Sequence, residues 1–170
     1  QFAQKCQDVR ESIKRSFECY GWDGEWYLQA TTDAGIPLGS KDNTEGKIFL
    51  MPNIWAAISG LAEPERALQA MESVSRYLLK DYGTLLNYPA FTKPRTDIGY
   101  VTRYAPGLRE NGGVYTHAAT WSVWAYALMN QLELAYEAYR RICPPNRSAD
   151  IERYWAEPYV TPGNIDGPQS

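Results

Sequence analysis

A single histidine, His117, stands among the 170 residues of this chain. Mechanisms that need two histidines, including His-rich metal sites and HExxH zinc centres, are therefore excluded within it. A Ser-His-Asp triad would have to use His117, and no GxSxG-like elbow accompanies it. Cysteine is nearly as scarce: Cys6, Cys19 and Cys143 form an odd set without CxxC spacing. That set suggests neither a disulfide framework nor a thiolate zinc site, and reads as buried free thiols in a reducing compartment. No apolar run approaches the roughly 18–20 residues of a membrane span, and Gln1–Arg10 lacks the basic-then-apolar order of a signal peptide. A soluble, cytoplasmic protein is the expectation. An excess of positive charge is missing too, since 17 Lys and Arg face 20 Asp and Glu for a net charge of −3. Neither nucleic acid nor an anionic membrane surface is an expected partner.

What is present is apolar and aromatic. Hydrophobic residues make up 44% of the chain, enough for one domain core and too many for global disorder. Six Trp and thirteen Tyr are the unusual part of the composition. Rings with a polar edge fill cores, and they also wall sugar sites, where the C–H face of a pyranose stacks on them.

Helical spacing recurs along the sequence. Phe2, Cys6, Val9, Ile13 and Phe17 predict a helix from Phe2 to Phe17 with one buried stripe. A second helix is expected to begin near Pro52 and stop at Gly60, and a third to open at Glu63-Pro64 and run until Asp81-Tyr82-Gly83. The fourth, Thr116 to Met129, is apolar nearly all round and is expected to sit between neighbours. The fifth, Leu132 to Ile142, sets Ala135, Ala138 and Tyr139 on one side and is stopped by Cys143-Pro144-Pro145. Between Thr84 and Gly113, proline and glycine breaks predict a long loop, and long ordered loops tend to be functional. Helix pairs joined by such loops favour an α/α barrel or toroid over a four-helix bundle, whose loops are short.

Three constellations could carry chemistry. In Trp22-Asp23-Gly24-Glu25-Trp26-Tyr27, two carboxylates sit among three large rings beside glycines that let the backbone approach a ligand. A carboxyl group walled by aromatic rings loses hydration and can hold the proton of a general acid, and Asp23, between Trp22 and Gly24, is the better placed of the two. The same residues would serve equally as a turn cap beside core tryptophans. In Pro106-Gly107-Leu108-Arg109-Glu110-Asn111-Gly112-Gly113-Val114-Tyr115-Thr116-His117, Glu110 and Asn111 stand at the entrance of the fourth helix and His117 in its first turn. They could bind sugar hydroxyls or a phosphate, or form a capping loop with a hydrogen-bonded histidine. The third is the polar loop from Ala156 to Pro168, offering Glu157, Asn164 and Asp166. Lys41 and Glu45-Gly46-Lys47 read as loop and structure.

Taken in order, Trp22 to Leu28, Leu38-Gly39-Ser40 with Glu45 to Leu50, Trp55 to Gly60, Arg109 to His117, and Glu157-Pro158-Tyr159-Val160 resemble the catalytic domain of the glycoside hydrolase family 94 phosphorylases. The resemblance spans about residues 15 to 168. It implies an all-α fold, part of an (α/α)6 barrel with long active-site loops and at most short β segments. It also implies a glycoside phosphorylase that inverts a β-glucoside or related β-linked sugar to an α-sugar 1-phosphate. Inorganic phosphate is then co-substrate and nucleophile, so one carboxylic acid suffices, and neither metal nor other cofactor is called for. The family's acid maps to Asp23, and Trp22 to a wall of the donor-sugar subsite. Glu157 matches a carboxylate near the acceptor sugar, with Tyr159 of the same motif counted as substrate-binding, and Glu110, Asn111 and His117 fall in a family active-site loop. The implied partners are a β-linked oligosaccharide and phosphate, with a homodimer as the assembly of the full-length protein.

Family members are several times longer. Residues 1–170 are accordingly expected to form one partial catalytic domain, the central to C-terminal part of an α/α barrel, without the N-terminal β-sandwich, the barrel closure or most of the phosphate site. Two alternatives stay open: a non-catalytic carbohydrate-binding fragment, and an inverting hydrolase on the same barrel, which would require a second carboxylate opposite Asp23.

Overall fold

The computed structural model describes residues 1–167; Pro168, which closes the third constellation, lies outside the described residues with Gln169 and Ser170. Among the described residues seven α-helices carry the fold: α1 (Phe2–Ser16), α2 (Leu50–Ile58), α3 (Pro64–Tyr77), α4 (Thr116–Leu128), α5 (Leu132–Ile142), and the single turns α6 (Pro144–Arg147) and α7 (Ile151–Tyr154). The eight strands among the described residues have two residues each and pair there as two-stranded antiparallel ribbons. No described helix is long and apolar enough to cross a membrane. The fold is helical with short strands, as the sequence leads one to expect.

Local chemistry accounts for the boundaries. Pro64 occupies the first turn of α3, where its missing N–H leaves nothing unpaired. Helix α5 has Glu133 in its first turn and Arg140 and Arg141 in its last, matching the helix dipole, and Glu137 pairs with both arginines. Cys143, forced to extended geometry by Pro144, ends it. Helix α3 stops at Tyr77, earlier than its sequence pattern suggests, because Leu79–Lys80 (β4) turns back to pair with Gly83–Thr84 (β5).

The core lies among α2, α3, α4 and α5. Leu50 and Ile54 of α2, Met71 and Val74 of α3, Tyr126 of α4 and Ile142 of α5 are buried there. Alanines at 118, 119 and 125 of α4 and at 135 and 138 of α5 are buried as well, and their small side chains let helix axes approach closely. Helices α2 and α4 run side by side from the same end. Leu86 accepts a hydrogen bond from the Leu50 amide and donates to Gly113, so one residue ties both helix entrances. Trp55, sixth in α2, meets Trp121, sixth in α4, edge to face at 5.3 Å.

Three packing expectations change. The apolar stripe of α1 is not buried, for Phe2, Val9 and Ile13 stand exposed and no residue of that helix is enclosed by the described residues. Tyr139 points outward rather than joining Ala135 and Ala138. Helix α4 has α2 and α5 as neighbours, yet Trp124 and Leu128 remain exposed. In each case spacing specifies a helix and an apolar face without specifying what covers it.

Candidate functional site

The first constellation folds as a tight hairpin on the first turn of α2. Trp22 bridges Tyr27, and the Asp23 amide donates to the Trp26 carbonyl at 2.9 Å. Gly24 takes the positive φ of 90° that the turn requires. The Tyr27 amide donates to Asn53 Oδ1, while Asn53 Nδ2 donates to the Phe49 carbonyl, so a buried side chain of α2 pins the hairpin to the helix entrance. Trp26 is a core residue, 1% exposed, whose ring N–H donates to the carbonyls of Gly39 and Lys47. It anchors the hairpin from below and does not wall the carboxylate, which corrects that part of the sequence reading. Asp23 is partly exposed, and the Lys41 amide donates to its Oδ2 at 2.6 Å. The Lys41 ammonium lies over Gly24, where a Cβ would meet it at 3.3 Å.

Trp22 is held by one residue of the motif and one outside it. Its ring stands edge to face with Tyr27 at 5.0 Å, and the Arg66 guanidinium lies 5.1 Å from its centroid. Glu18, on a π-helical turn (Phe17–Gly21) that follows α1, joins these two groups. Glu18 Oε1 accepts from the Tyr27 hydroxyl at 2.7 Å and from the Glu63 amide at 2.9 Å, and Oε2 accepts from Arg66 Nη1 at 2.6 Å. Burial pushes the Glu18 carboxyl up, but the hydrogen bonds from Tyr27, the Glu63 amide and Arg66 outweigh it, leaving its pKa below the usual glutamate value. The same contacts act oppositely on Tyr27, whose hydroxyl is pushed well up by burial and then by Glu18.

A carboxyl with a lowered folded-state pKa contributes stability above its unfolded pKa and loses that contribution as pH falls through the folded value. The Tm difference between the unaltered protein and Glu18→Gln is therefore expected to be largest near neutral pH and to shrink as pH falls below about 4.3, the ordinary glutamate pKa. Thermal melts across this range check it; a difference independent of pH would remove the charge on Glu18 as its cause.

The second and third constellations come together at the entrance of α4. Val114–Tyr115 (β7) pairs with Asn164–Ile165 (β8), Thr116 donates from its amide to Gly163, and Gly167 donates to Gly107. Tyr115 donates its hydroxyl to Glu110 Oε1 at 2.8 Å, while the other Glu110 oxygen and Asn164 Oδ1 are enclosed without a hydrogen-bond partner among the described residues. His117 is exposed, its ring edge-on to Trp121 at 5.3 Å and tilted against Tyr115 at 5.6 Å. Asn111 departs from the contact role expected of it. It is 0% exposed, accepts from the Phe91 amide, and donates to the carbonyls of Phe91 and Tyr104, so its amide is spent on backbone. Glu157 and Tyr159 stand exposed on the loop between α7 and β8, Tyr159 79% so, and no hydrogen bond among the described residues ties them to Asp23.

A belt of loops connects these parts at the shared end of α2 and α4. Trp26 bonds Lys47, the Gly46 amide donates to Pro89, and Phe91 is clasped by Asn111, beside Glu110. Gly46 has a φ of 56°, and a Cβ there would collide with the Phe91 ring, which explains a glycine between Glu45 and Lys47. No group of three or more His, Cys, Asp or Glu among the described residues is placed to hold a metal. Glu18 and Arg66 carry no signal in the sequence, because Arg66 lies 48 residues beyond Glu18 and no periodicity links them.

Comparison with known proteins bears on this arrangement. The model of the glycosyl hydrolase 94 superfamily catalytic domain matches residues 1–170. Similar proteins include the cyclic β-(1,2)-glucan synthase NdvB of Rhizobium meliloti, 38% identical over 92% of this chain and 6% of the synthase. Solabiose phosphorylase of Paenibacillus borealis is 35% identical over 98% of this chain and 22% of that enzyme. N,N'-diacetylchitobiose phosphorylase of Vibrio proteolyticus is 36% identical over 93% of this chain and 21% of that enzyme. The chain thus spans about a fifth of the length of these phosphorylases and far less of the synthase. Matched along its whole length, it belongs to the glycosyl hydrolase 94 superfamily and lies within that superfamily's catalytic domain.

Proposed function

We propose that this chain supplies the general acid of a β-glycoside phosphorylase acting in the cytoplasm on a β-linked disaccharide or oligosaccharide. The observation that carries the reading is Asp23, partly exposed on a hairpin fixed to the entrance of α2, with one carboxylate oxygen held by the Lys41 amide. The Asp23 carboxyl gives its proton to the glycosidic oxygen as the bond from that oxygen to the anomeric carbon breaks. A phosphate oxygen forms the new bond to the anomeric carbon from the opposite face, which yields an α-sugar 1-phosphate and the free acceptor sugar. Phosphate is already an anion, so no second carboxylate is needed to activate it. In this reading Trp22 stacks on the donor sugar, Glu110 and His117 offer polar contacts at the entrance of α4, and Glu157 and Tyr159 face the acceptor. The thiols of Cys6, Cys19 and Cys143 are free, in keeping with a reducing compartment, but none is buried as the sequence suggests: Cys6 and Cys19 are exposed and Cys143 is only partly covered.

A (α/α)6 barrel is the architecture we propose for the whole domain, supported by α2 and α4 sharing one entrance while α3 and α5 return behind them. The match to a cyclic β-(1,2)-glucan synthase favours a second reading, in which the same acid works within a larger β-1,2-glucan enzyme. The natural full-length polypeptide, given inorganic phosphate and a panel of solabiose, N,N'-diacetylchitobiose, cellobionic acid and linear β-1,2-glucan, is expected to release an α-sugar 1-phosphate from one of them. Turnover of the glucan alone would select the second reading. Free sugar released at the same rate without phosphate would overturn phosphorolysis and select a hydrolase.

A further inference from the structure

We infer that Arg66 and Glu18 are positioning residues that set the orientation of the Trp22-Asp23 turn, an inference that rests on the reading of Asp23 as the acid. Trp22 is half-buried and is held from two sides, by the Tyr27 ring and by the Arg66 guanidinium. Neither of those groups is free to drift. Arg66 Nη1 donates both to the Glu18 carbonyl at 2.9 Å and to its carboxylate at 2.6 Å, and the Tyr27 hydroxyl donates to the other carboxylate oxygen. Tyr27 also stacks on Phe17 at 4.2 Å. One carboxylate therefore fixes both supports of the Trp22 ring. The Trp22–Tyr27 bridge and the bond from the Asp23 amide to Trp26 make the hairpin stiff, so a displaced Trp22 carries Asp23 with it.

Stability alone is a poor account of this cluster. The side chains of Arg66 and Glu18 are 38% and 15% exposed, and partly exposed ion pairs add little to folding, while apolar residues of similar size would fill the space as well or better. A charged fork that bonds one residue twice and lies against an aromatic ring defines angle and distance. Groups that must meet a glycosidic oxygen need that definition, because misplacement by about 1 Å can cost on the order of 10²-fold in rate.

The test uses the natural full-length polypeptide, the disaccharide it turns over, and the matching 4-nitrophenyl β-glycoside, whose leaving group departs without a proton. Arg66→Met is expected to lower kcat/KM for the disaccharide roughly 10- to 100-fold and to lower that for the nitrophenyl glycoside several-fold less. Arg66→Lys, which keeps the ion pair, recovers part of the loss, and Glu18→Gln, which keeps an acceptor for Tyr27, falls between. Equal losses on both substrates, or a lowered Tm with kcat/KM within about twofold of the unaltered enzyme, would overturn the inference. Fluorine NMR of protein labelled with 5-fluorotryptophan, with Trp22 assigned by Trp22→Phe, gives a readout independent of turnover. The Trp22 resonance is expected to shift or broaden in Arg66→Met while those of Trp121 and Trp124 stay in place; an unmoved Trp22 resonance refutes the inference. An unaltered enzyme that makes no sugar 1-phosphate overturns the functional reading instead, and the fluorine spectra still decide the positioning.

Discussion

Asp23→Asn in the natural full-length polypeptide is expected to lower kcat for phosphorolysis by about 10²- to 10⁴-fold, the range over which a positioned general acid acts. The substitution preserves size and an oxygen able to accept from the Lys41 amide, so the hairpin on α2 should survive. What it removes is the transferable proton. Because that proton is needed in the transition state and not in the bound ground state, the loss should appear in kcat, with KM for the disaccharide changed far less. Synthesis from the α-sugar 1-phosphate and acceptor should fall in step, since the same carboxylate must then accept the proton of the attacking hydroxyl. A 4-nitrophenyl β-glycoside, needing no proton on its leaving group, should retain a much larger share of its rate. Steady-state kinetics in both directions check this, and disaccharide phosphorolysis within about threefold of the unaltered enzyme would remove Asp23 from the role.

The legibility of this molecule from sequence follows the range of the interactions involved. Helices α2, α3, α4 and α5 were readable because their start and stop signals are local: Pro64 in a first turn, Cys143-Pro144 after the last. Ala67, Ala70, Met71 and Val74 keep helical spacing because together they form the buried face of α3. The stripe of α1 has the same spacing, yet Phe2, Val9 and Ile13 are exposed, for a period specifies a face and not its cover. The Trp22–Tyr27 motif was legible as a glycine turn beside rings, but not the division of labour within it, in which Trp26 is core and Trp22 is held at the surface. Arg66 and Glu18 meet only through tertiary folding, and no local pattern marks either of them. Asn111 was misread for a different reason. Asn-Gly-Gly has the composition of a solvent-facing turn, and a turn that must be buried uses the same residues, with the asparagine amide replacing the missing water.

That burial makes Asn111 the most sensitive scaffold position in the candidate site. Its side chain satisfies the Phe91 amide and two backbone carbonyls, those of Phe91 and Tyr104. Asn111→Leu would leave all three unpaired away from water, and at about 1–3 kcal/mol for each such group the expected destabilisation is roughly 3 kcal/mol or more. Asn111→Asp keeps the acceptor for Phe91 but turns a carboxylate toward two carbonyl oxygens. Its penalty should grow as pH rises through the range in which a carboxyl group ionises, because the folded state disfavours the charged form. The loops have little slack to absorb either change. The Gly112 amide is bound to Asn87 Oδ1 at 2.8 Å, and a Cβ at Gly113 would lie 2.5 Å from the Arg109 carbonyl oxygen. Hydrogen exchange of the natural polypeptide should therefore show protection lost across residues 87–95 and 104–113 in both variants, with the Trp22–Tyr27 hairpin and α3 retaining theirs. A ligand-contact role would give the opposite pattern: unchanged exchange and Tm, with KM for the sugar raised. Since residues 104–113 carry Glu110 and lead through β7 into His117, loss of the Asn111 clasp should also lower activity, and lower it further at neutral than at mildly acid pH in Asn111→Asp.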